Sequence, residues 1–404
     1  MSGKRSPADP RPRAIAPVAP PVDLAITALA AGGDGVARDG DGRVTFVPLT
    51  APGDRVRARV VHATSSFARA ELVEVIEAGA TRVEPTCRHV KRGCGGCQWQ
   101  QVALSEQRRA KQAIVAGALR SFDALVVHPI ASPSSPLGWR RRARFHVARG
   151  HTGLYALGSK RLLPIDRCPQ LEPALDAALA AVAAASPPDG ELALLLGHDG
   201  RVVVGTERAW RGAKLVLGRV GIVGVIAGGE RYGDPEIEIE PGLHGGPWEF
   251  AQANALGNAA LIAQVLAAIG SGPGRLVELY AGAGNITRAL LVAQWEVIAS
   301  DVIAPSHPPA TRFEVGPVDD VLRTLEGPVD AVVLDPPRSG AADAVDGIIR
   351  LAPRAIAYVS CDPATLARDA ARLVASGYRA ATAWPIDLMP QTSHVEVVMR
   401  IERP

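Results

Sequence analysis

The sequence predicts a multidomain α/β protein, and three observations carry that reading. Short β-like runs separated by Gly, Asp and Pro occupy residues 22–80. A cysteine group set among arginines opens the segment 81–245. Strand–helix alternation then fills residues 246–404, the pattern of a parallel, doubly wound, Rossmann-like sheet. A chain of 404 residues is too long for one ordinary domain. The three segments are therefore expected to be a small OB-like β-barrel, a central α+β domain and a nucleotide-binding domain.

Composition narrows the class. Hydrophobic residues make up 47% and charged residues 21%, as in ordinary soluble globular proteins. Residues 1–21 are rich in Pro, Arg and Lys and lack an apolar stretch, so they read as a disordered basic tail, not a signal peptide. No apolar run is long enough to cross a bilayer, and no membrane partner is expected. The expected compartment is the cytoplasm, whose reducing conditions favour metal ligation over disulfides. The expected working form is a monomer.

In the first segment, strands are predicted over 24–28, 44–48, 56–61 and 68–76. Gly33, Gly35, Asp39-Gly40 and Asp41-Gly42 supply the turns between them. About five short strands in so short a span suggest a small barrel. The wording Gly35-Val36-Ala37-Arg38, Phe46-Val47-Pro48 and Pro52-Gly53-Asp54-Arg55-Val56 resembles the TRAM domain. That resemblance implies an RNA-binding module.

The middle segment opens with Cys87, Cys94 and Cys97, spaced C-x6-C-x2-C, and Cys168 follows. Four thiolates complete a soft-metal site, zinc or iron–sulfur alike. From Arg88 to Arg149, twelve Lys/Arg face only two acids, Glu106 and Asp123. Such a block suits a polyanion, nucleic acid first, with a solvated surface as the alternative. A helix is predicted over 105–122 with Ser105 as its N-cap. In Trp139-Arg140-Arg141-Arg142-Ala143-Arg144-Phe145, arginines sit between aromatics. These side chains suit support of an unstacked RNA strand, or equally packing and surface charge.

In the last segment, strands are predicted over 275–281, 296–301, 312–315, 330–336 and 355–362, with helices over 286–294, 341–351 and 364–376. Strands over 380–386 and 395–401 close the chain. Tyr280-Ala281-Gly282-Ala283-Gly284-Asn285 follows the first of these strands as a glycine turn, where the backbone can approach an adenosine-bearing ligand. Arg288 stands where a third glycine would complete the dinucleotide fingerprint. Asp301 ends the second strand, where acids bond ribose hydroxyls. Asp335-Pro336-Pro337-Arg338 ends the fourth at the ligand crevice, and its prolines stiffen the loop. Cys361 ends the fifth, just before Asp362-Pro363 opens a helix whose N-terminus is expected to lower the thiol pKa. Glu396 lies between Val395 and Val397 on the closing strand, and an acid there is costly unless it does chemistry or finds a partner.

The segments 276–285, 335–340, 360–369 and 390–396 together resemble the RNA 5-methyluridine methyltransferase family, and the resemblance spans essentially the whole chain. It is strongest to the branch that carries an iron–sulfur cluster and acts on large-subunit ribosomal RNA. It implies a class I methyltransferase domain using S-adenosyl-L-methionine, an RNA substrate (23S rRNA first, tRNA second) and a 4Fe-4S cluster. Carried over by position, Cys361 matches the nucleophile and Glu396 the general base. Gln252, Tyr280, Gly282, Asn285, Asp301 and Asp335 match the donor site, and Cys87, Cys94, Cys97 and Cys168 the cluster ligands.

The chemistry needs these residue types. Carbon 5 of uracil is a poor nucleophile. Thiolate addition at carbon 6 makes an enolate that can attack the sulfonium methyl, and a base must then remove the carbon-5 proton. Three features depart from the family pattern. Only ten residues, with Pro305, Pro308 and Pro309 among them, separate Asp301 from Arg312, too few for a helix. Gly316-Pro317 stands where the family carries a polar adenine contact. The first gap of the cysteine group is one residue longer than in the family. Three rival readings are a metal-cluster RNA-binding protein with an inactive methyltransferase domain, an iron–sulfur redox enzyme, and a cytosine or adenine methyltransferase. The unfinished dinucleotide fingerprint counts against the second. The third usually has a cysteine after proline or an Asn-Pro-Pro-aromatic motif, and neither occurs here.

Overall fold

The computed structural model describes residues 20–404, so the predicted basic tail lies outside the described residues except for its last two positions. The chain divides into two compact units, residues 20–30 with 34–82 and residues 31–33 with 83–404.

The first unit is built from β1 (Val22–Ala25), β2 (Ala28–Leu29), β3 (Gly35–Arg38), β4 (Val44–Val47), β5 (Arg55–Ala63) and β6 (Phe67–Glu77). They form one sheet in the order β1-β5-β6-β4-β3-β2. The two edge strands are separated by only Ile26 and Thr27, so the sheet curls back on itself as the expected barrel. Strand alternation turns Leu24, Ala37, Val47, Val56, Ala58 and Ala70 into a common core. Asp54 is fully buried there. Its carboxylate accepts the N–H of Ala51 at 2.6 Å and of Gly79 at 2.9 Å and pairs with Arg82 at 2.8 Å, which satisfies a charge that would otherwise be costly to bury.

The second unit contains two large sheets. After β7 (Val126–Val127), the strands β8 (Arg142–Ala148), β9 (His151–Tyr155), β10 (Leu162–Pro164), β11 (Gly190–Leu196), β12 (Val202–Thr206), β13 (Ile222–Ala227) and β14 (Glu230–Gly233) are joined in the order β10-β9-β8-β11-β12-β13-β14. The Ala-rich helix Pro173–Ala184 buries Leu175, Ala178, Leu179 and Val182 against this sheet. Here the aromatics flanking the arginine run settle their role. Trp139 is 4% exposed and Phe145 1%, so both pack inside and neither offers a stacking face. Arg141 is also buried, 3% exposed.

A short hairpin, β15 (Ile237–Glu240) and β16 (Leu243–Gly245), leads to the second sheet. Its strands are β17 (Arg275–Leu279), β18 (Glu296–Asp301), β19 (Arg312–Val315), β20 (Ala331–Leu334), β21 (Ala355–Ser360), β22 (Arg379–Ile386) and β23 (Glu396–Glu402). Their order is β19-β18-β17-β20-β21-β23-β22-β7. β17 to β21 are parallel, and β23 inserts antiparallel between β21 and β22. The doubly wound prediction therefore matches. The parallel strand cores, such as Ala331–Leu334, are buried throughout because helices cover both faces.

Several elements differ from expectation. The helix Ala255–Ile269 is absent from the sequence reading, because Ala, Leu and Ile fill most of both its faces and blur the helical period. Its N-cap is Asn254, whose side chain accepts from Gly257 N–H. The predicted helix over 105–122 spans Leu104–Ala118 instead, and Ser105 lies inside its first turn while Ala103 occupies the cap. That helix packs Val115, and its C-cap Leu119, into the core of the C-terminal sheet, and β7 extends the same sheet. The helix predicted from 341 starts at Val345, because Ala341 N–H is held by Tyr358 Oη and Asp369 Oδ2. A helix at Val318–Thr324 is also unforeseen. Between Asp301 and Arg312 there is no helix, as predicted.

Candidate active site

Strand direction assembles the site. In the parallel strands, Tyr280, Asp301, Asp335 and Cys361 all fall at or just beyond the carboxyl ends of β17, β18, β20 and β21. Because β23 is antiparallel, its first residue, Glu396, falls at the same edge. Ser360 pairs with Val397 in the ladder, so one step further on the register sets Cys361 opposite Glu396. This edge is where α/β sheets bind ligands.

The glycine turn is shaped for close approach. Tyr280 has φ 61°, a strained value for a side chain of that size, and Gly282 and Gly284 have φ 55° and 88°. Space beside Gly282 is open, whereas a side chain on Gly284 would meet Pro309 at 3.3 Å. Asp301 Oδ2 accepts the Gly282 N–H at 2.8 Å, tying the predicted ribose acid to the turn. Tyr280 is half-buried, and its hydroxyl is pushed up to about 12, by burial first and then by Asp343 and Asp369.

Asn285 and Gln252 are joined through residues that the sequence reading did not single out for the site. Asn285 and Asn258 exchange amide hydrogen bonds of 2.8 and 2.9 Å. Asn258 Nδ2 also donates to Glu240 Oε1 at 2.9 Å, and Glu240 pairs with the Arg141 guanidinium. Arg141 Nε in turn donates to the Gln252 carbonyl at 3.0 Å. A buried arginine from the predicted RNA-facing run therefore braces two predicted donor-site residues. Its burial is legible only once the fold is known.

The strand-end edge is acidic. Glu396 is pushed up to about 8 by burial, with Asp335 raising it further and Arg338 opposing. Burial pushes Asp335 up to about 6. Glu278, on β17, is pushed up to about 8 by burial and then by Asp335 and Asp301. Burial also raises Cys361 to about 11, with Glu396 and Asp335 adding and Arg338 opposing. The sequence reading expected the helix N-terminus to lower this thiol. Instead the Asp362 carboxylate caps that helix itself, accepting from Ala364 N at 2.9 Å and Thr365 N at 3.1 Å. The helix end thus directs its N–H groups at an aspartate, and burial dominates the thiol. Arg338 Nη2 lies 3.3 Å from the His394 ring, and His394 is pushed down to about 4, by burial first and then by Arg338.

Cys87, Cys94, Cys97 and Cys168 all line one cavity of about 380 Å³, which also reaches Arg140, Arg338, Met389, Thr392 and His394. Burial raises Cys97 to about 12 and Cys168 to about 11. Among the described residues, no group of three or more His, Cys, Asp or Glu is arranged to hold a metal ion.

Residues 22–73 match the TRAM domain, and residues 322–403 match the tRNA (Uracil-5-)-methyltransferase family. The chain is 31% identical over 433 residues to a 23S rRNA (uracil(1939)-C(5))-methyltransferase of Marinomonas sp., covering 96% of each chain. The chain belongs to the RNA uracil-5-methyltransferase family. An uncharacterized RNA methyltransferase of Thermosynechococcus vestitus is 32% identical, with 93% of this chain and 97% of that one covered. The solved Pyrococcus abyssi tRNA (uracil-54, C5)-methyltransferase, in complex with S-adenosyl-L-homocysteine, has the same fold. Its TM-score is 0.73 at 20% identity, over 94% of this chain and 100% of that one.

Proposed function

We propose that this chain methylates carbon 5 of uridine in RNA with S-adenosyl-L-methionine, through a covalent Cys361–uracil adduct resolved by Glu396. The observation that carries this reading is the pairing of a half-buried thiol with a buried glutamate across the β21–β23 register at the ligand edge. The Cys361 sulfur bonds to carbon 6 as its proton leaves to a neighbouring base. The resulting enolate attacks the sulfonium methyl through carbon 5, releasing S-adenosyl-L-homocysteine. Glu396 then takes the carbon-5 proton, the carbon–sulfur bond breaks, and the thiolate leaves. Gln252, Tyr280, Gly282, Asn285 and Asp301 are assigned to the donor, and Asp335 to the donor or the uracil edge.

Near full-length similarity to proteins named for 23S rRNA favours ribosomal RNA as the substrate, with tRNA as the second choice. Among the described residues no helix is long and apolar enough to cross a membrane, which fits a cytoplasmic RNA enzyme. Mapping 5-methyluridine in rRNA and tRNA from a deletion strain tests the substrate. One rRNA position should lose its methyl group and regain it when the purified protein and methyl donor are added back. Unchanged maps in both RNAs would overturn the reading.

The four cysteines are assigned to a 4Fe-4S cluster. The support is that all four are free thiols lining one cavity, and four thiolates make a complete soft-metal site. The cluster would brace the loops around it, and no electron transfer is needed for methylation. Protein purified without oxygen is expected to be brown and to contain iron and sulfide, and Cys168→Ser is expected to lose both. A colourless protein with one equivalent of zinc would exclude the cluster.

A further inference from the structure

The segment 387–394 leads directly into Glu396, and it is held from an unexpected side. The helix Leu104–Ala118 begins seven residues after Cys97. Its Lys111 is fully buried. Lys111 Nζ pairs with Asp387 Oδ1 at 2.5 Å and donates to the Met389 carbonyl at 3.0 Å. One turn earlier, Gln107 is also fully buried. Its Nε2 donates to Gln391 Oε1 at 2.9 Å, and its Oε1 accepts the Gln391 N–H at 3.1 Å. Trp99 N–H, two residues beyond Cys97, donates to the Gln391 carbonyl at 3.1 Å. Gln391 itself has φ 68°, a conformation that persists only when its surroundings impose it.

Resting on the catalytic reading above, we propose that Gln107 and Lys111 are positioning residues for Glu396. They clamp the 387–394 segment, so the loop that carries Cys97 sets where the base stands. Burial argues against a simple stability role. A buried lysine–aspartate pair and a doubly bonded glutamine pair stabilise little net compared with apolar residues of the same volume. What they supply is a single backbone path, with each polar group satisfied in only one arrangement. Proton removal from carbon 5 is sensitive to such placement, whereas donor binding is made by the opposite half of the sheet, around β17 and β18.

Gln107→Met and the charge-neutral pair Lys111→Met/Asp387→Asn test this, the second leaving no unpaired charge. Each is expected to bind S-adenosyl-L-homocysteine as wild type does and to form the RNA adduct. Each should then release methylated RNA on the order of 10–100-fold more slowly, so that denaturant-resistant adduct accumulates. Adduct and turnover at wild-type levels, or equal losses of donor binding and adduct formation, would overturn the clamp. Glu396→Gln serves as the control. If it traps adduct and the clamp variants do not, the clamp fails while the base assignment stands. If it traps none, the base assignment fails first and the clamp with it.

Discussion

Cys361→Ala is expected to lower RNA methylation by roughly 10⁴-fold or more while leaving methyl-donor affinity within about twofold. The thiol lies at the carboxyl end of β21, and the glycine turn lies at the end of β17 on the other side of β20. Its removal therefore subtracts the nucleophile without touching the donor turn. No nearby group substitutes for it. Glu396 and Asp335 are carboxyls, weaker nucleophiles toward carbon 6 than a thiolate. Without addition at carbon 6, carbon 5 has no electron pair to offer the methyl group. Single-turnover transfer of labelled methyl to ribosomal RNA, run beside donor titration, measures both quantities. Methylation by the alanine variant at the wild-type rate would remove the covalent route.

Glu396→Gln is expected to stop the reaction after methyl transfer and leave a denaturant-resistant RNA–protein adduct. Glutamine keeps the shape of the side chain and cannot accept the proton. The buried carboxyl also predicts a pH dependence. Held up at about 8, Glu396 is protonated and useless as a base well below that pH, and becomes competent as pH rises through it. Wild-type turnover should therefore climb between about pH 6 and about pH 9, a limb missing from the variant. The same shift opposes folding. The unfolded carboxyl ionises near its ordinary value of 4.5, so from there up to about 8 the folded state loses about 1.4 kcal/mol per pH unit relative to the unfolded one. Glu396→Gln should raise the melting temperature at pH 8 and change it little below the ordinary value. A variant that melts at the wild-type temperature at both pH values would argue against a buried, protonated Glu396.

Much of the site was legible because it rests on strand ends. A parallel strand–helix alternation assigns every strand's last residue to one edge, so Asp301, Asp335 and Cys361 are located by pattern alone. Glu396 was legible because an acid flanked by valines needs a reason. The state of the thiol was not legible. A helix start was visible in Asp362-Pro363, yet whether its N–H groups face the thiol or the Asp362 carboxylate depends on one side-chain rotamer.

The arginine run marks the same limit from another direction. Its charge suggested RNA, but Arg141 turns inward to Glu240 and the Gln252 carbonyl, while Trp139 and Phe145 pack inside. Charge and spacing describe what a residue can bond, and only packing decides which partner it meets. The sequence by itself determined the barrel and the doubly wound sheet, because each follows from local periodicity, and it marked the four cysteines, Cys361 and Glu396 as candidates by residue chemistry. The tertiary structure alone decided that the helix after Cys97 grips the approach to Glu396 through Lys111 and Gln107. Those contacts join positions nearly 300 residues apart, Gln107 to Gln391 by a separation of 284, and no local pattern carries that information.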